Sequence, residues 1–191
     1  MTPKDLAGRA KASTLIENLV GEVLASESVA ACSSNDHYVR FRECVAKAFP
    51  SASSSLIAGS GNWGFSMKPH VLGRPFSPHS DVDLVVLDLA LFQDIWAELR
   101  RYDRESYYQL NQGDRDDLRR KGQNIYCGFA SPEWIPGTVS GLRWELRKKL
   151  NQLSSFLIGG RQVNAFFFKT IADVVDYYKR GFIILMNNYK S

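Results

Sequence analysis

The chain has 191 residues, 45% of them hydrophobic and 23% charged, so it is long enough to bury a core as one globular domain. A formal net charge of +4 permits a polyanionic partner without requiring one. Its apolar runs are far shorter than the ~20 residues of a membrane-spanning helix, which predicts no membrane association and a cytoplasmic location. Three cysteines without metal-ligand spacing, Cys32, Cys44 and Cys127, favour reduced thiols.

The first 50 residues predict a helical lead-in. Apolar residues recur with helical spacing from Leu15 to Leu24, so one helix is expected over 4–25. The small polar stretch 26–35 predicts a loop. A second helix is expected from Asp36, its predicted cap, to Phe49, because Pro50 cannot continue it. Four residues are expected on its inward face: Val39, Cys44, Val45 and Ala48.

The central motif begins with the apolar run Leu56–Ala58, which ends in the turn Gly59–Gly61, and it closes with Asp81 and Asp83 at the head of a β-branched run. That run predicts a buried strand, along which the two aspartates project to the same side. Two neighbouring carboxylates repel unless a cation lies between them, so the pair predicts a divalent-metal site. The turn frees backbone N–H groups that can bind phosphate. A plain β-turn followed by a strand with solvated aspartates is the alternative interpretation.

A Gly-Ser turn followed by Ser-Asp-x-Asp-Leu resembles the nucleotidyltransferase superfamily built on the DNA polymerase β palm. The resemblance rests on Gly59, Ser60, Ser80, Asp81, Asp83 and Leu84. It implies an α/β palm, a mixed β-sheet flanked by helices and preceded by two helices. It also implies transfer of a nucleoside monophosphate from a nucleoside triphosphate to a hydroxyl of RNA, protein or a small molecule.

The same resemblance implies a set of ligands and partners. Mg²⁺ or Mn²⁺ is expected on Asp81 and Asp83. The residues expected to hold the triphosphate are Gly59, Ser60, Asn62, Ser66 and Ser80. Small bacterial members of toxin–antitoxin and phage-defence systems fit this chain length best, and they imply a protein partner or a homo-oligomer.

The connection between the two halves of the motif, residues 61–79, is longer than the short loop usual in that superfamily; we call it the insertion. It contains aromatic and basic residues, including Trp63, Lys68 and Arg74. Two roles stay open for Trp63, which are stacking on a base and pinning the loop to the core. His70 and His79 lack further ligands at zinc-site spacing, so no zinc site is expected.

Past the motif, a helix is expected over 91–101, with Leu91, Ile95, Trp96 and Leu99 inward. The charge-rich stretch 102–122 predicts a solvated face, although Arg119–Lys121 is a candidate contact for an RNA backbone. A strand is predicted over 123–129, a loop over 132–137 and a helix from Ser140 to Phe156.

The aromatic and β-branched run 161–168 predicts another strand. The superfamily places its third carboxylate on a strand beside the first pair, and the matching position here is Asn164. An amide oxygen can bind a metal but cannot take up a proton. The site therefore either transfers nucleotide with a base from substrate or water, or only binds it. A pseudoenzyme, an antitoxin and an adaptor are the corresponding alternatives.

A helix could also supply the third acid, from Glu145, Asp173 or Asp176. The last helix is predicted from Thr170 to Asn188, with Thr170 as its cap and Asp173 completing a capping box. The whole chain, 1–191, is expected to form a single nucleotidyltransferase-like domain. It divides into a helical lead-in over 1–50, a palm core over 51–169 and a C-terminal helix over 170–191.

Overall fold

The computed structural model describes residues 1–136 and 141–189, so the predicted helix start at Ser140 and loop end at Gly137 lie outside the described residues. Across those two ranges the chain forms eight α-helices and one mixed four-stranded sheet, which confirms the mixed α/β class. No helix in the described residues is long and apolar enough to cross a membrane.

The sheet brings parts of the chain that are distant in sequence next to one another. Its strands are β1 (Ser54–Ala58), β2 (Val82–Leu87), β3 (Phe129–Ala130) and β4 (Val163–Phe168), in the spatial order β1-β2-β4-β3. Strands β1 and β2 are antiparallel, β2 and β4 parallel, and β3 and β4 antiparallel. Asp83 lies opposite Ala58 on one side and Asn164 on the other. The register therefore places the acid pair beside both the turn and Asn164.

The helices form a layer on each side of this sheet. They are α1 (Pro3–Ala12), α2 (Ile16–Leu24), α3 (Asn35–Ala48), α4 (Ser60–Trp63), α5 (Leu89–Ser106), α6 (Gln112–Tyr126), α7 (Gly141–Leu153) and α8 (Ile171–Asn188). Because side chains alternate along a strand, Leu84 and Val86 enter a core under α3, α5 and α7. Val85 and Phe168 enter a second core under α1, α2 and α8.

The prediction of a single helix over 4–25 is wrong, because two helices separated by a bend occupy this stretch. Helix α1 ends at Ala12, and the Ser13 hydroxyl donates a hydrogen bond of 2.8 Å to the Leu15 carbonyl. Such local bonds compete with helical hydrogen bonding. Both helices then pack on α8, and an ion pair between Arg9 and Glu22 links them.

Helix α3 has the predicted extent but a different cap and inward face. The Ser34 hydroxyl, not Asp36, accepts the hydrogen bond from the His37 amide that caps the helix. The buried residues are Tyr38, Phe41 and Val45, whereas the predicted Val39 and Cys44 are exposed. The two larger aromatic side chains determine which stripe faces the sheet, because they bury more apolar area.

The prediction of a strand over 123–129 is also wrong, since α6 continues to Tyr126 and the strand is only Phe129–Ala130. The side chain of Asn111 caps α6, and ion pairs one turn apart along it include Lys121 with Asp117. No residue of α6 is fully buried, which agrees with a solvated face.

Helix α5 is longer than predicted at both ends, and Trp96, expected inward, is 42% exposed. The guanidinium of Arg100 lies 5.0 Å from the centre of the Trp96 ring, so a cation covers its outer face. Helix α8 follows the prediction, and the capping box of Thr170 with Asp173 is confirmed. That helix crosses the sheet close to the acid pair and forms one side of the site.

Candidate functional site

A cavity of about 830 Å³ lies at the end of β2, between the sheet, the insertion and α8. That volume is within the range of small-molecule clefts. Seven of the eight predicted site residues line it: Gly59, Ser60, Ser66, Ser80, Asp81, Asp83 and Asn164. The turn and the acid pair, which are more than 20 positions apart in sequence, therefore share one cavity.

The turn at Gly59 and the carboxylate of Asp83 are in direct contact. Gly59 has φ 61° and ψ −152°, a conformation almost restricted to glycine. A Cβ atom added there would lie 2.6 Å from Asp83 Oδ2. The absent side chain is thus what allows the carboxylate to lie against the turn.

Asn164 binds the first aspartate directly. Its Nδ2 donates a hydrogen bond of 3.1 Å to Asp81 Oδ2, and its Oδ1 accepts one of 3.1 Å from Gln162 Nε2. The amide thus presents its N–H group, and not its oxygen, to the carboxylate. In this arrangement Asn164 offsets part of the charge of Asp81, as a bound cation also would.

The ionised form of Asp83 is destabilised in the free protein. Burial raises the pKa of Asp83 to about 6, Lys68 opposes the rise, and Asp81 adds to it. Among the described residues, the Asp83 carboxylate accepts no hydrogen bond and forms no ion pair. A desolvated carboxylate without donors is stabilised by any cation that reaches it.

The donor set fits a hard divalent cation. No cluster of three His, Cys, Asp or Glu side chains that could hold a metal occurs in residues 1–136 and 141–189. Mg²⁺ nevertheless binds in many proteins through one or two carboxylates, with water and substrate phosphates as its other ligands. Asp81 and Asp83, which line one cavity, supply that minimum.

Asn62 is the predicted site residue that the structure places elsewhere. It is 5% exposed, and its Nδ2 donates a hydrogen bond of 2.9 Å to the Ile57 carbonyl. Its exposed edge belongs to a second hollow, which Arg9 and Glu22 also line. Asn62 therefore stabilises the Gly59 turn from the side that faces away from the cavity. Ser80 also shapes the backbone, because its hydroxyl accepts a hydrogen bond of 3.1 Å from the Ser77 amide just ahead of the acid pair.

The structure favours the pinning role for Trp63. The ring is 6% exposed and meets Tyr178 and Phe182 edge to face, each at 5.8 Å between centroids. In the part of the chain that is described, its Nε1 is buried without a hydrogen-bond partner. The ring reaches the edge of the cavity, but most of its surface is packed against α8, so its main role is to fasten the insertion to that helix.

The helix-borne acids do not reach the cavity. Glu145 is exposed on α7, and Asp176 is exposed on α8. Asp173 is occupied by the capping box, in which its Oδ2 accepts hydrogen bonds from the amide and the hydroxyl of Thr170. None of the three lines the cavity, so Asn164 remains the residue opposite the acid pair.

Several lining residues were not predicted as part of the site. Phe166 follows Asn164 by two positions on β4, so strand alternation alone would have placed both on the same face. On α8, Tyr177, Gly181 and Ile184 line the cavity at helical spacing. The sequence pattern did not reveal this second face of the helix, because the apolar face through Tyr178 and Phe182, which packs in the core, gives the stronger periodic signal.

Comparisons of this chain with protein-family models, with characterised proteins and with solved structures found no significant match. A function must therefore be argued from the chemistry of the cavity itself. The cavity combines a glycine turn, two same-facing carboxylates and an amide on the parallel neighbouring strand.

Proposed function

We propose that this protein is a metal-dependent nucleotidyltransferase with a DNA polymerase β-like palm. The observation that carries the proposal is the meeting of the Gly59 turn with Asp81 and Asp83 in one cavity. The parallel pairing of β2 with β4, which places Asn164 opposite Asp83, supports it further. The strand order β1-β2-β4-β3 also supports a palm, because the family resemblance implies that a further strand lies beside the one that follows the acid pair.

Each group has a role in the proposed reaction. Asp81 and Asp83 hold Mg²⁺ or Mn²⁺, which when bound neutralises charge on the phosphates. The backbone at Gly59 and the hydroxyl of Ser60 hold the β- and γ-phosphates. An acceptor hydroxyl oxygen forms a bond to the α-phosphorus, and the bond from that phosphorus to the bridging oxygen breaks and releases pyrophosphate. Positioning and charge neutralisation supply most of the rate.

The proton of the acceptor hydroxyl needs a destination. Asn164 cannot take it up, because an amide has no useful basicity near neutral pH. The proton therefore leaves to water or to a phosphate oxygen of the substrate. The acceptor is a hydroxyl of RNA, of a protein partner or of a small molecule, and a toxin–antitoxin or phage-defence setting is part of the proposal.

One observation favours a second candidate, a nucleotide-binding protein that transfers nothing. Asn164 already donates to Asp81, so the arrangement is stable without a third acid and without a base. Such a protein would act as a nucleotide-dependent antitoxin or adaptor. The two candidates share the fold and the metal but differ in whether pyrophosphate is released.

A binding and release assay separates the candidates. The protein is incubated with Mn²⁺ and labelled nucleoside triphosphates, with bulk RNA as acceptor, and both bound label and pyrophosphate are measured. The enzyme releases pyrophosphate, and Asp81→Asn and Asp83→Asn abolish both release and metal-dependent binding. The matched control is Asp94→Asn, an exposed acid on α5 that should change neither. Binding without release supports the second candidate, and metal-independent behaviour of the wild type refutes both.

A further inference from the structure

The insertion is a fixed wall of the cavity. Its two arms are joined by backbone hydrogen bonds of 2.8 Å, from the Ser66 amide to the Arg74 carbonyl and from the Phe76 amide to the Gly64 carbonyl. Its first arm lies on α8, where a Cβ atom added to Gly181 would come within 3.2 Å of Met67. These contacts hold the loop open beside the acid pair and keep it from filling the cavity.

The far end of the wall is anchored to the sheet. The Arg161 guanidinium donates a hydrogen bond of 3.2 Å to the Ser77 carbonyl and lies 4.8 Å from the centre of the Phe76 ring. Arg161 lies two residues before the start of β4, the strand that carries Asn164. The wall, the acid pair and Asn164 are therefore positioned by one connected set of contacts.

Three basic side chains of this wall line the cavity without a hydrogen-bond or ion-pair partner among the described residues. Lys68, Arg74 and His79 line the cavity, and none of their side chains forms a hydrogen bond or ion pair with a described residue. Arg180 faces them from α8, and its polar contact within the described residues is a weak one of 3.9 Å to Cys127 Sγ. The neighbouring Lys179, which does not line the cavity, is paired with Glu17.

The arrangement of charge points to a ligand that is negative along its length. The two carboxylates and the cations line the same cavity; Asp83 is half-buried, whereas Lys68 and Arg74 are exposed to solvent. Lys68 is close enough to oppose the rise in the pKa of Asp83, so the two regions adjoin. Charged side chains without partners gain most from a ligand that brings several anionic oxygens at once.

We infer that the insertion is the subsite for the outer phosphates of the triphosphate, with Lys68 and Arg74 as the residues that distinguish triphosphate from monophosphate. This inference rests on the proposed function, and it adds charged side chains to the backbone and hydroxyl groups that Gly59 and Ser60 offer to the same phosphates. Arg180 completes the subsite from the opposite side. Because the subsite shares one cavity with the acid pair, it favours a triphosphate bound with its metal over an RNA backbone.

The test measures binding of ATP, AMP and inorganic tripolyphosphate, each with Mn²⁺, by isothermal titration calorimetry. Lys68→Met and Arg74→Gln should each weaken ATP and tripolyphosphate about tenfold, the loss of one charge-assisted hydrogen bond. AMP should change less than about twofold, since one phosphate does not reach the wall. The matched controls are Lys47→Met and Arg40→Gln, exposed residues of α3 on the other side of the sheet.

The outcomes separate this inference from the proposed function. Selective loss of ATP and tripolyphosphate binding supports the subsite even if no pyrophosphate is ever released. If Lys68→Met and Arg74→Gln weaken the binding of AMP and ATP equally, or weaken neither, the subsite is overturned. The proposed function is unaffected by that result as long as the wild type binds a triphosphate with its metal. Short single-stranded RNA is titrated in parallel. Lys68-dependent RNA binding without tripolyphosphate binding also overturns the inference, because the wall would then contact the acceptor.

Discussion

Replacing Gly59 by alanine tests the contact on which the site depends. The backbone angles of Gly59, φ 61° and ψ −152°, cost a residue with a side chain about 1–3 kcal/mol. The new methyl group would also lie 2.6 Å from Asp83 Oδ2, so the carboxylate or the turn must move. Overpacking of this kind costs a further ~1–3 kcal/mol. We expect Gly59→Ala to lower the free energy of unfolding by about 2–6 kcal/mol in total.

Urea denaturation followed by circular dichroism measures that loss, with an unchanged slope showing that compactness is unaltered. The matched control is Gly21→Ala in α2, where an added Cβ meets no atom within 4 Å. That change should stabilise by about 0.4–1 kcal/mol, the opposite sign. Metal binding by Gly59→Ala should weaken as well, because Asp83 is displaced. A stability within about 0.5 kcal/mol of wild type would refute the described contact between turn and carboxylate.

Three further predictions concern the same region. The pKa of Asp83 is raised from 3.8 to about 6, so the ionisation of this buried carboxyl costs nothing below about pH 4 and destabilises the free protein as the pH rises through 6. Asp83→Asn should therefore raise the free energy of unfolding by about 2–3 kcal/mol at pH 7.5 and leave it unchanged near pH 3.5. Denaturation at several pH values without metal measures this difference. Asn164→Asp removes the donor to Asp81 and adds a third negative charge, so it should lower thermal stability without metal and raise Mn²⁺ affinity roughly tenfold in calorimetry; lower Mn²⁺ affinity would contradict the proposed metal position. Thr170→Ala removes the cap of α8 and should cost about 1 kcal/mol in urea denaturation, with Mn²⁺ affinity unchanged.

The sequence was informative where a local pattern and a tertiary requirement coincide. The buried strand after Asp81 was predicted because a continuous β-branched run has few alternatives, and alternation then placed both aspartates on one face. The position of Asn164 beside the acid pair was implied by the family resemblance, and the register of β2 and β4 places it opposite Asp83. The capping box at Thr170 is a purely local signal, so it also needed no tertiary information.

Features decided by long-range packing were predicted less well. The bend at Ser13 divides a stretch whose apolar spacing reads as one helix, because both halves gain more by packing on α8. The α6 sequence around Gln123 has a moderate propensity for either structure, and capping and ion pairs at the other end of the helix decided the outcome. The cavity side of α8 depends on where the insertion lies, which no local pattern encodes.

The asparagine at position 164 and the basic insertion act on the cavity in the same direction. An acid at 164 would add negative charge beside Asp81, and the amide removes that charge while donating a hydrogen bond. Lys68 and Arg74 add positive charge that no described residue neutralises. Both features make the cavity less negative and therefore more favourable for a polyanion, and under the proposed function the groups that would hold a triphosphate would also hold pyrophosphate. Under the proposed function we therefore expect release of pyrophosphate to be slow, and Asn164 and the insertion would contribute to that in the same direction.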